Sequence, residues 1–140
     1  MSDTYKDVKA LRPTRPKHRF TLWAGYLLNE VTMIAVPVLG EIYRMSFAHL
    51  PNALGECDPF KCTIKLADDI ADQEEALWRV VRHELGHAFV FESGLGDYMN
   101  KREQEMMAQL LGNFFLIFDK PVFFKNLLAE SKKKTEHKDK

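Results

Sequence analysis

Asp72-Gln73-Glu74-Glu75-Ala76-Leu77-Trp78-Arg79-Val80-Val81-Arg82-His83-Glu84-Leu85-Gly86-His87-Ala88-Phe89-Val90-Phe91-Glu92-Ser93-Gly94 holds the clearest helical signal in the chain. Ala76, Leu77, Val80, Val81, Leu85 and Ala88 recur at three- and four-residue steps, which gathers them on one face of an α-helix. Asp72 with Glu75 has capping-box spacing, Asp standing in for the usual Ser or Thr. Gly94 suits the left-handed position that ends a helix. The spacing predicts a helix over about residues 73–92.

Within that helix His83 and His87 are four residues apart, so their side chains share a face. Two imidazole nitrogens placed this way can reach one metal ion at about 2.0–2.1 Å. Glu84 lies one step round the axis, beside the remaining coordination position. A carboxylate there can take a proton from water held by the metal and return it to a leaving amine. The structural alternative is a histidine pair that merely decorates the helix surface or its core.

A metal centre of this kind needs a third protein ligand and an open position. The downstream carboxylates are Glu92, Asp97, Glu103 and Glu105. A second helix is expected over about 101–118, stopped by Pro121, with Met107, Leu110, Leu111, Phe114 and Phe118 along one side. At roughly 100° per residue, Glu103 falls on that apolar side and Glu105 nearly opposite. An acidic group on a buried face is costly unless it is paired or binds metal. Glu103 is therefore the expected third ligand and Glu105 the second choice. Asn100 and Glu103 also have capping-box spacing, which offers Glu103 a purely structural role.

Upstream, residues 32–39 are β-branched and apolar, Gly40-Glu41 suggests a tight turn, and residues 42–47 continue as a second strand, a β-hairpin pattern. Residues 51–59 read as a loop, and residues 62–66 as a third short strand. Residues 20–31 suit a short helix or an extended lead-in, and residues 122–128 a last apolar turn or short helix. The expected class is α+β: a short three-stranded sheet on the two helices that carry the site, with flanking helices. Residues 1–140 form one domain by length. The basic ends, about 1–18 and 131–140, are expected to be solvated and mobile.

Twenty basic and twenty acidic side chains leave no net charge, so nothing in the overall field points to a nucleic-acid partner. The early apolar run at residues 23–39 contains Asn29, Glu30 and Pro37 and is unsuited to spanning a bilayer. Cys57 and Cys62 are the two cysteines. Without a secretory signal they suggest reduced thiols in a cytoplasm, a metal clamp or disulfide being the other readings. His18 and His49 have no partner at ligand spacing. Tyr98 is either an oxyanion donor or an ordinary loop aromatic. Trp78 and the Phe-rich residues 114–124 read as core or as a partner-facing apolar patch.

The run Thr63-Ile64-Lys65-Leu66, followed after about fifteen residues by His83-Glu84-Leu85-Gly86-His87-Ala88-Phe89, resembles the ImmA/IrrE-type metallopeptidases, particularly small phage-encoded members. The resemblance covers about residues 36–118. Glu103-Gln104-Glu105-Met106-Met107-Ala108-Gln109-Leu110-Leu111 looks like the acidic start of their third-ligand helix. It implies a minimal, gluzincin-like zincin fold, Zn²⁺ as cofactor, and hydrolysis of a peptide bond in a protein, often one regulatory protein. The substrate would align along an edge strand, here expected at residues 62–66. Many relatives carry Glu-x-x-Ala at the third ligand, which here matches Glu105 and Ala108 and competes with the helical-phase argument. Phase is preferred because it concerns burial directly. Metzincins would require Gly and His where Val90 and Ser93 stand, and no paired Cys-x-x-Cys is present for a zinc ribbon. A competing class is an inactive module that keeps the metal structurally and acts by binding.

Overall fold

A computed structural model describes residues 33–138. The expected element at residues 20–31, the basic arm at 1–18 and His18 lie outside them.

Alternation builds the sheet. Val36 and Val38 in β1 (Ile34–Val38), Tyr43 and Met45 in β2 (Glu41–Ala48), and Ile64 and Leu66 in β4 (Thr63–Ala67) are buried at every second position, as a sheet with one covered face requires. β1 and β2 pair antiparallel, and β4 runs parallel to β2. Their hairpin turns at Leu39 (φ 46°) and Gly40 (φ 85°), both left-handed. This is the signature of a two-residue type I′ turn, one residue earlier than Gly40-Glu41.

Among the described residues the sheet has four strands, not three, in the order β1-β2-β4-β3. The additional strand, β3 (Gly55–Asp58), pairs antiparallel with β4 inside the stretch expected to be a loop. Its sequence Gly-Glu-Cys-Asp has no apolar alternation, and what holds it is backbone pairing. Two expectations are corrected as a result. The strand read at 62–66 is an interior strand, and the edge beside the helices is β3. Cys62 itself, at φ 52°, belongs to the turn before β4.

Helix α1 (Glu74–Ser93) lies across the buried face of the sheet. Leu77, Val81, Leu85 and Ala88 enter the core, and Trp78 packs on Phe124 with ring centroids 4.6 Å apart. Gln73, not Asp72, is the N-cap residue, and no side chain caps it. The C-terminus ends as expected, on Gly94 at φ 82° with its amide donating to the Phe91 carbonyl. Helix α2 (Lys101–Phe114) gives way to a single 3₁₀ turn at Phe115–Ile117. Helix α3 (Val122–Lys138) is much longer than the expected short turn. Phe124, Leu127 and Ser131 are buried along it, so the stretch read as a solvated tail from residue 131 is helix as far as Lys138. A serine in the buried stripe, with Oγ donating to the Leu128 carbonyl at 2.8 Å, broke the apolar pattern. Among the described residues no helix is long and apolar enough to cross a membrane.

The packing of α2 on α1 overturns the helical-phase expectation. The buried positions of α2 are Ala108 and Gly112; of the expected stripe, Met107 and Leu111 flank them half-buried, while Leu110 and Phe114, and Phe118 beyond the helix, are 61%, 54% and 57% exposed. Small residues face small residues: a Cβ on Gly86 would meet the Ala108 carbonyl oxygen at 2.4 Å, and one on Gly112 would meet the Arg82 carbonyl at 3.3 Å. The Arg82 side chain, itself buried, donates to the Gly112 oxygen at 2.9 Å. Two backbones this close leave no room for Leu or Phe between them; Met107 and Leu111 sit half-buried at the sides of the seam, and Met106, Leu110 and Phe114 point away.

Candidate metal centre

The antiparallel seam of α1 and α2 sets Glu105 opposite the two histidines. The Nε2 atoms of His83 and His87 are 3.1 Å apart, with rings at 81° to each other. Glu105 Oε2 lies 3.1 Å from the first and Oε1 3.0 Å from the second. Donors bound at about 2.0–2.1 Å to one tetrahedral ion stand roughly 3.3 Å from each other, so the three side chains are spaced for a single small cation. Burial lowers the His87 pKa, opposed by Glu105 and reinforced by His83, which favours the neutral, ligating imidazole. His83, His87 and Glu105 form a group that can hold a metal ion, the one such cluster among the described residues.

The carboxylate that approaches the imidazoles is therefore Glu105, and Glu103 is placed elsewhere. Glu103 completes the capping box: its backbone N–H donates to Asn100 Oδ1 at 2.9 Å, and its carboxylate accepts from the Asn100 N–H at 3.3 Å. Glu103 is exposed, so the premise of a buried acid does not hold. Glu92 is buried but accepts from the Tyr43 hydroxyl at 2.7 Å, beneath the sheet. Replacing Glu105 by Ala should weaken metal binding by more than the roughly 100-fold that loss of a supporting hydrogen bond can reach. Glu103→Ala should cost about 0.3–1.5 kcal/mol of stability through the cap and leave metal affinity unchanged. Isothermal titration and thermal melts separate the two, and the reverse pattern would restore Glu103.

Glu84 is 7% exposed and lines a cleft of about 840 Å³ that His83, His87 and Glu105 share with edge strand β3. Gly55 makes that closeness possible, since a Cβ there would fall 2.9 Å from Glu84 Cγ and 2.6 Å from Val80 Cγ1. Burial pushes the Glu84 carboxyl up to about 7, with His83 opposing and Glu105 and Glu56 adding to the rise. A carboxyl near neutrality can accept a proton and give it back. Glu84 stands outside the metal-binding group, beside it.

Asp97 lines the cleft without joining the group. Tyr98 is 59% exposed and is not among the cleft residues. His49 is exposed, and Trp78 is core. Cys57 and Cys62 are not joined in a disulfide, and Cys57 is pushed well above its usual value by burial and then by Glu84 and Asp58, which leaves it a poor nucleophile.

Two site features carried no sequence signal strong enough to be read. One is β3. The other is Gln109, whose Oε1 sits 3.1 Å from His83 Nδ1; its only mark in the sequence is the four-residue step from Glu105. Comparison with protein-family models, with curated proteins and with solved structures finds no match to this chain.

Proposed function

We propose that this chain is a zinc-dependent metallopeptidase of the ImmA/IrrE type, built as a minimal zincin. The observation that carries the proposal is the convergence of His83 Nε2, His87 Nε2 and the Glu105 carboxylate within 3.0–3.1 Å, with Glu84 lining the same cleft. Two neutral imidazoles and one carboxylate are a donor set suited to zinc. The match of Glu105 and Ala108 to the Glu-x-x-Ala spacing of the family supports it further.

Zinc, when bound, would supply a Lewis acid that acidifies water and polarises a carbonyl. The chain's own groups would do the rest. His83, His87 and Glu105 would hold the ion at the wall of the cleft. Glu84 takes a proton from the attacking water and delivers it to the departing amine, which balances the transfer over the cycle. β3 is an outer strand of the sheet among the described residues, where an extended peptide could add by backbone pairing, and Gly55 keeps that strand close to the base.

The test is direct. Zinc-loaded protein should hold about one zinc per chain by elemental analysis, falling below about a tenth in His83→Ala or His87→Ala, because three ligands are the minimum of such a centre. The loaded protein should cleave an unfolded protein substrate, and chelation should stop it. Unchanged zinc content in both variants would end the proposal.

A further inference from the structure

Helix α2 presents Glu105, Gln109 and Asn113 at four-residue steps, and all three side chains join one chain of contacts. Glu105 meets both imidazoles. Gln109 Oε1 meets His83 Nδ1 at 3.1 Å, and Gln109 Nε2 donates to Asn113 Oδ1 at 3.2 Å. The last contact orients the first. With its amide nitrogen committed to Asn113, Gln109 turns its carbonyl oxygen to His83, and a carbonyl can only accept. His83 must then carry its proton on Nδ1, and its Nε2 faces Glu105 and His87 with a free lone pair.

We infer that Gln109, held by Asn113, is the positioning residue that keeps His83 in the Nδ1–H tautomer and so keeps Nε2 ready to bind a cation. The inference rests on the metal-centre reading above for its use, but the tautomer can be read in metal-free protein. The competing arrangement turns both amides over. Gln109 would then donate to Nδ1, the proton would sit on Nε2, and His83 would only hydrogen-bond Glu105. The two arrangements have the same heavy-atom positions and opposite consequences for metal binding. His83 Nε2 faces His87 Nε2 and the Glu105 carboxylate at 3.0–3.1 Å, and the first arrangement is the one that suits this spacing to a cation, because an Nε2 proton would have to leave before an ion could enter.

The experiment uses full-length protein labelled with ¹⁵N-histidine, first metal-free at a pH where the imidazoles are neutral. Wild type should show one histidine with the Nδ1–H pattern in long-range ¹H–¹⁵N spectra, and Gln109→Leu should lose it. Gln109 and Asn113 are exposed, so the variant is expected to fold. Zinc affinity should then fall about 10–100-fold in Gln109→Leu and return to within about threefold of wild type in Gln109→Glu, whose carboxylate still accepts from Nδ1–H. A merely structural role would not move the tautomer or be rescued by that acceptor. An Nε2–H signal for His83 in wild type, or equal zinc affinity in Gln109→Leu and wild type, would overturn the inference. Wild type that binds no zinc would remove the metallopeptidase reading, while the metal-free spectra would still decide the role of Gln109.

Discussion

Glu84→Gln is expected to lower hydrolytic turnover by about 10²–10⁴-fold, the range for losing a positioned general base, while zinc content stays at the wild-type level. The separation follows from the geometry. Glu84 is outside the His83, His87 and Glu105 group but lines the cleft next to it. The amide keeps the shape that fits against Gly55 and Val80 and removes only the ability to take and return a proton. Stability should not suffer. Burial disfavours the charged form of Glu84, enough to lift its carboxyl to about 7. Its folded-state pKa lies above the unfolded value, so ionised Glu84 destabilises the fold as pH rises through that range. A neutral isostere therefore melts at the same temperature as wild type or slightly higher at pH 8. Turnover by wild type that Glu84→Gln retains in full would exclude the base role. Absence of turnover in both, with zinc bound, would favour the inactive binding module.

The sequence made the first of the two site helices legible almost completely. Periodicity, the Gly94 terminator and the histidine spacing come from short-range rules, and α1 obeys them from Glu74 to Ser93. The hairpin was legible for the same reason. The carboxylate that completes the candidate metal group was not legible from helical phase, and the cause is physical. The rule that large apolar side chains mark the buried face presumes packing by bulk. At this seam α1 and α2 meet through Gly86, Ala108 and Gly112, so the buried face of α2 is its face of small residues and Leu110 and Phe114 lie opposite. Glu105, three residues before Ala108, falls beside that seam. The weaker pattern, an acid three before an alanine, records this small-residue contact directly, which is why it selected the side chain that the phase argument rejected. β3 was invisible for another reason: four residues joined to a neighbour by backbone hydrogen bonds leave little trace in side-chain pattern.

If this seam sets the site, Gly86→Ala should damage both fold and metal binding although it leaves every polar group in place. Helix propensity alone predicts the opposite sign, since Ala is favoured over Gly by about 1 kcal/mol inside a helix. The added methyl would lie 2.4 Å from the Ala108 oxygen, 2.8 Å from its Cα and 3.0 Å from its carbonyl carbon. All three are backbone atoms, which cannot rotate aside as a side-chain tip can. Overpacking of this kind costs about 1–3 kcal/mol or more, and at 2.4 Å the upper part of that range applies, so the clash exceeds the propensity gain. Relief requires α2 to move outward by on the order of 1 Å to restore ordinary contact distance. Glu105 rides on α2, whereas His83 and His87 ride on α1, so the same movement opens the 3.0–3.1 Å spacing of the group. Gly86→Ala should therefore melt several degrees below wild type and bind zinc at least about tenfold more weakly. Gly40→Ala is the control. Its position is strained at φ 85° but nothing lies within 4 Å of the new methyl, so it should lose about 1 kcal/mol and keep zinc affinity intact. Equal zinc affinity in Gly86→Ala and wild type would mean that the approach of the two helices does not govern the metal centre.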